Sequence, residues 1–180
     1  MDGNMNRRLL SIFGLMVFSV LISISPAYSQ DAEPGDTPPP PKVMSKEEKA
    51  QLEVLLDVKR RTKLALELMD VRMKAAEQFH DSQDLDAMFL QLGAFHALVD
   101  NTLEFLNKSD KDSGKVLNNF KRFEIGLRVF APRIEVIRRD APLKYEFYLR
   151  SLGKYIRNAR AEAVESLFSD SVVPTKKQPN

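Results

Sequence analysis

"VLNNFKRFEIGLRVFAPRIEVI" (residues 116–137) places apolar side chains at Val116, Phe120, Phe123, Leu127, Phe130, Ile134 and Ile137. The steps alternate between four and three residues, which is the spacing of one stripe on a helix packed against neighbouring helices. The stripe keeps its register across Pro132, although proline has no N–H for the carbonyl four residues back and its ring crowds that turn. The reading is therefore one amphipathic helix, bent near Arg128 by Pro132, with both halves buried; two short helices are the alternative.

Three further stripes lie on either side of it. "SKEE" (45–48) is a capping-box sequence, with Ser45 as cap and Glu48 reaching back to its amide. From there Leu52, Leu55, Val58, Thr62, Ala65, Met69, Met73 and Ala76 predict a helix running to about Phe79. "HDSQD" (80–84) supplies caps for a second helix, whose stripe is Leu85, Met88, Leu92, Phe95, Val99, Leu103 and Leu106. Pro142 suits the first turn of a fourth, with Tyr145, Leu149, Leu152, Ile156, Ala159, Ala163 and Leu167 inward. No strand-like alternation of useful length interrupts the pattern. The expected fold is all-α: an antiparallel, up-down-up-down four-helix bundle over residues 45–169 with a proline-kinked third helix.

The flanks read differently. Residues 1–29 carry Arg7 and Arg8, an uncharged apolar run from Leu9 to Ser25, and small residues at Ala27 and Ser29, as a secretory signal peptide does. The run from Leu9 to Ser25 is at the lower edge of what spans a bilayer, so an uncleaved membrane anchor is the alternative. The arginine pair resembles a twin-arginine signal only in passing, since its surroundings match poorly. Export is expected, with the mature chain periplasmic or secreted. Residues 30–44 include four consecutive prolines and read as a disordered, extended linker; a docking segment for an aromatic-lined groove is the sharper alternative. Residues 170–180 read as a disordered tail.

Several chemistries are excluded by composition. The chain of 180 residues has no cysteine, which removes disulfides, thiolate metal sites, c-type haem attachment and a lipoprotein anchor. It has no Gly-x-Ser-x-Gly elbow and no phosphate-cradling glycine loop. Glu77 and His80 have the three-residue spacing of a di-iron bundle ligand pair, but Gly93 stands three residues before His96 and leaves the second half missing. A single ion held by Glu77, His80 and Asp81 or Asp84 is the weaker alternative to a merely structural His80 and His96. Neither catalytic residues nor a cofactor are expected. Gly93, Gly126 and Gly153 sit inside predicted helices at a cost of about 1 kcal/mol each relative to alanine. Close approach of a neighbouring helix beside a phenylalanine is their expected reason, and a small apolar-ligand cavity the alternative.

Charge divides the chain. Residues 30–112 carry 17 acidic and 11 basic side chains, whereas residues 121–160 carry 11 basic and 4 acidic. Either the two halves neutralise each other, or the basic half offers a binding face. That face would consist of Arg138, Arg139 and Lys144 at the corner of the third and fourth helices, followed by Arg150, Lys154 and Arg157, with Tyr145, Tyr148 and Tyr155 along its border. Its ligands would be anionic lipid, an envelope polyanion or an acidic protein; nucleic acid is not expected outside the cytosol. A second candidate surface comes from length. The first helix, at about 50 Å, would overhang the second, at about 35 Å, leaving Leu52, Val54, Leu55 and Leu56 for a partner. The expected function is a non-enzymatic exported bundle acting by protein association, as a homo-oligomer or a subunit of an envelope complex; the alternative is a module that binds an anionic or lipidic ligand.

Export has a direct readout. The intact mass of the envelope protein should correspond to a chain beginning at Gln30, and a mass retaining Met1 would support the anchor.

Overall fold

The computed structural model describes residues 37–110 and 113–168, and these fall within one compact unit. The expected signal peptide and the tail at 170–180 lie outside the described residues, as does the first part of the linker. The described residues are all-helical: α1 (Lys46–Glu53), α2 (Val58–Asp81), α3 (Leu85–Lys108), α4 (Gly114–Leu127), α5 (Phe130–Asp140) and α6 (Leu143–Phe168). None of these helices is long and apolar enough to cross a membrane.

The first expected helix is two helices. Ser45 caps α1 through a hydrogen bond from the Glu48 amide, and the Glu48 carboxylate accepts one from the Ser45 amide, so the capping box forms. After one short helix the chain turns at Val54–Leu56 and starts again at Asp57, whose carboxylate accepts from the Arg60 amide at 2.9 Å. Glu48 then meets Arg72 at 2.8 Å. In a continuous helix those residues would stand about 36 Å apart, so α1 folds back along α2. The overhang expected from helix lengths is therefore absent: Leu52 is buried, Leu55 is half-buried, and only Val54 and Leu56 project, Leu56 at 86% exposure. The sequence stripe hides this break because Leu52, Leu55 and Val58 keep helical spacing through it.

The third expected helix is also divided. Arg128 and Val129 separate α4 from α5, where Pro132 has no N–H for the Arg128 carbonyl and the Arg128 amide donates to the Ile125 carbonyl. Both separating residues keep right-handed helical dihedrals, so the chain advances without reversing. As a result all seven stripe residues from Val116 to Ile137 are buried. The stripes of α3 and α6 are buried as well, apart from Leu85 and Leu167, which are partly covered.

Side-chain pairs give the relative directions. Arg61 with Asn101 and Arg72 with Gln91 make α2 and α3 antiparallel. Glu124 with Arg160 and Arg138 with Glu146 make α4 and α5 antiparallel to α6. Arg133 of α5 joins Asp70 and Glu77 of α2, while Asp86, Leu92 and Asn107 of α3 meet Tyr145, Tyr148 and Glu162 of α6 in rising order. Gly126 matters at the α2 contact: a Cβ there would lie 2.5 Å from a Leu66 methyl, so glycine admits that side chain.

The seam has a measurable cost of disruption. Phe123, fully buried midway along α4, should lose roughly 3 to 5 kcal/mol on replacement by alanine in a denaturant titration; a loss below about 1 kcal/mol would place it outside the core.

Candidate functional site

The basic face exists in part. At the turn between α5 and α6, the Arg138 guanidinium spans Glu135 at 2.7 Å and Glu146 at 2.5 Å and is only one-quarter exposed. Arg139 is exposed and reaches Glu135 at 3.3 Å, and Arg150 holds Glu146 at 2.7 Å. These contacts keep both carboxyls charged: hydrogen bonds from Arg138 chiefly hold Glu135 at about 2, and those from Arg150 and Arg138 hold Glu146 below its ordinary value. Arg138 is thus a strut between α5 and α6 rather than a free cation of the expected basic face. Lys144 is exposed and lies over the Tyr145 ring at 4.7 Å. Lys154 and Arg157 are exposed, and among the described residues neither has a carboxylate within ion-pair distance.

Between these helices runs a cleft of about 240 Å³ lined by Ala131, Ile134, Leu149, Gly153 and four charged side chains, Glu135, Arg138, Arg150 and Arg157. Its charged lining does not suit an apolar ligand. Gly153 has only the Arg157 guanidinium near its missing side chain, at 3.6 Å, so the expected close helix approach does not occur there.

Neutralisation between the halves of the chain runs mainly through Arg133. Within the basic half the most deeply buried pairing is at Glu124. That carboxylate is buried and takes Arg128 at 2.8 Å and Arg160 at 2.9 Å. Hydrogen bonds from Arg128 first and then Arg160 lower its pKa. Glu77 gives both its oxygens to Arg133, each at 2.6 Å, and is not paired with His80, whose Nδ1 instead lies 3.5 Å from Asp81. Among the described residues no three histidine or carboxylate side chains group as a metal site.

Two features escape the reading of the sequence. The first is a second stripe on α4 and α5. Ile125, Val129, Pro132 and Val136 follow steps of four, three and four on the side away from the core, and all four are exposed, Val129 at 57% and Val136 at 59%. The periodicity is present in the sequence, but the inner stripe of the same helices is longer and bulkier and dominates the pattern.

The second is a strap. Part of the expected linker, residues 37–44, lies against α3 and α6: Pro40 is buried, and a Cβ on Gly93 would come within 2.5 Å of the Pro41 carbonyl oxygen. Here a glycine receives backbone from the proline segment, not a helix beside a phenylalanine. Lys42 pairs with Asp100 at 3.3 Å and sits 5.4 Å from the Tyr155 ring centre. The Tyr155 hydroxyl donates to Asp100 in turn. Beneath them His96 packs its ring 4.2 Å from that of Tyr155, and neither of its nitrogens has a hydrogen-bond partner among the described residues. Burial, helped by the Lys42 charge and opposed by Asp100, holds the imidazole down to about 4.

The strap predicts a pH response. An unfolded chain protonates His96 near pH 6.5, the folded chain only near 4, so over that window the unfolded state binds more protons and stability falls with acidity. His96→Gln should remove this component, flattening the difference between urea midpoints at about pH 7 and about pH 4.5 relative to wild type; an unchanged difference would contradict a buried neutral imidazole. No protein-family model, curated protein or solved structure matches this chain, so its functional reading stands on the geometry above.

Proposed function

We propose that this is an exported, non-enzymatic helical-bundle protein that acts by associating with another protein in the cell envelope or extracellular space. Its architecture in this reading is a four-helix, up-down-up-down bundle. The staves are α2, α3, the divided pair α4 and α5, and α6, with α1 folded back over the first. The pairwise directions support that topology, since α2 and α4 run together, as do α3 and α6, and each sequential neighbour runs opposite.

The observation that carries association is the outer stripe Ile125, Val129, Pro132 and Val136. An apolar row at helix spacing on a solvent-facing side is what a second helical surface packs against. It replaces the surface expected at Leu52, Val54, Leu55 and Leu56, of which Leu52 is core. Val54 and Leu56 contribute only a small projecting tip.

A second reading, binding of an anionic or lipidic ligand through the basic face, is favoured by Lys154 and Arg157, which have no carboxylate in ion-pair reach among the described residues. With Arg138 committed to Glu135 and Glu146, that face reduces to Arg139, Lys144, Lys154 and Arg157, with Arg150 at its edge.

Association is tested by purifying the mature protein from its native cells and identifying what accompanies it. Val129 and Val136 are both exposed. Replacing each with glutamate should therefore change stability by no more than about 0.5 kcal/mol per site. The same double variant should lose the accompanying protein. Retention of an unchanged complex would remove the stripe from the account.

A further inference from the structure

Leu143, Phe147, Arg150, Lys154 and Arg157 occupy steps of four, three, four and three on α6, and all five are exposed. They form a row opposite the buried Tyr145, Leu149, Leu152 and Ile156. The row starts apolar, with Leu143 at 66% and Phe147 at 73% exposure, and continues cationic. Lys144 and Arg139 flank its apolar end. A helix surface with protruding aliphatic and aromatic groups bordered by lysine and arginine has the chemistry of the bilayer interface. There the apolar groups enter the headgroup boundary and the cations meet lipid phosphates.

We propose that the α5–α6 corner docks on an anionic lipid bilayer, with Leu143 and Phe147 entering the headgroup layer and Arg139, Lys144, Lys154 and Arg157 contacting lipid phosphates. This rests on the basic-face reading and not on the outer stripe of α4 and α5. Charge decides the sign of the partner: six cations between Arg138 and Arg157 face Glu135, Asp140 and Glu146, and the two glutamates are already held by Arg138, Arg139 and Arg150. The spread of the cations decides its form. A small anion needs donors that converge, yet of the three arginines that line the cleft Arg138 and Arg150 are occupied by carboxylates, which leaves Arg157 alone there, while Lys154 stands one turn earlier on the helix. A soluble polyanion would satisfy the cations but gives no reason for Leu143 and Phe147 to stand in water at the end of the same row.

The chain contains no tryptophan, so Phe147→Trp makes a single reporter at an exposed position in the full-length protein. Its emission should shift to the blue on vesicles containing phosphatidylglycerol and be quenched by lipids brominated on their acyl chains, with neither effect on phosphatidylcholine alone. Adding Lys154→Glu and Arg157→Glu should abolish both effects, most clearly at low salt. Val71→Trp, on α2, which makes no contact with α6, should keep its solvent-exposed emission throughout and so separates local docking from any attachment through residues 1–29. Absence of a shift on the anionic vesicles, or an equal shift on neutral ones, overturns the proposal. Dextran sulfate and polyglutamate complete the experiment: cation-dependent binding of either without lipid insertion sinks the bilayer proposal but leaves the basic-face reading, and no response to any of these anions sinks both.

Discussion

A single missing donor organises one side of the molecule. Pro132 cannot supply an N–H to the Arg128 carbonyl, and the helix that would have run from Gly114 to Asp140 is interrupted at Arg128 and Val129. The interruption keeps right-handed dihedrals, so it divides the helix without rotating its second half out of register. Phe123, Leu127, Phe130 and Ile134 therefore share one buried seam. Arg128 turns back to Glu124 on its own helix, while Arg133, one residue beyond the proline, reaches across to Glu77 and Asp70. The same register gives the opposite face its own continuous row, Ile125 to Val136, which stands exposed among the described helices.

Charge follows the packing. The basic half of the chain has few carboxylates, and the structure places three of them where each serves more than one arginine: Glu124 between Arg128 and Arg160, Glu135 between Arg138 and Arg139, Glu146 between Arg138 and Arg150. Glu124 is buried, where loss of its partners would leave an uncompensated charge; the pairs at Glu135 and Glu146 are more open and contribute less to folding. What is left over at the α5–α6 corner and along α6, Lys154 and Arg157 with Lys144 and most of Arg139, is the charge available there for recognition, while Lys121 and Arg122 lie apart on α4. That remainder is smaller than the net charge of the segment suggests.

The helices with an uninterrupted apolar period are legible in the sequence almost residue by residue. The stripes of α3, α4 with α5, and α6 all point inward, and the Ser45 capping box forms. Periodicity is blind to breaks that preserve it. The turn at Val54–Leu56 leaves Leu52, Leu55 and Val58 in step, and only Asp57, a cap placed inside an apparent helix, signals it. Side-chain commitments are equally hidden, because Arg138 lies eight residues from Glu146 across a turn and Arg133 lies 56 from Glu77. The proline segment is legible in composition but not in position: what seats it on α3 is the absence of a side chain at Gly93, which a sequence reading assigns to a helix neighbour instead.

In the proposed function, the outer face of α4 and α5 is covered when the protein is at work. Because the chain has no cysteine, Val129→Cys and Val71→Cys each provide one thiol at an exposed position. Maleimide labelling of both, in the isolated protein and in intact native envelopes, reads the coverage directly. The thiol at position 129 should react in the isolated protein and be protected in the envelope, while the thiol at position 71 should react in both. Equal labelling at position 129 in the two settings would contradict coverage of that face.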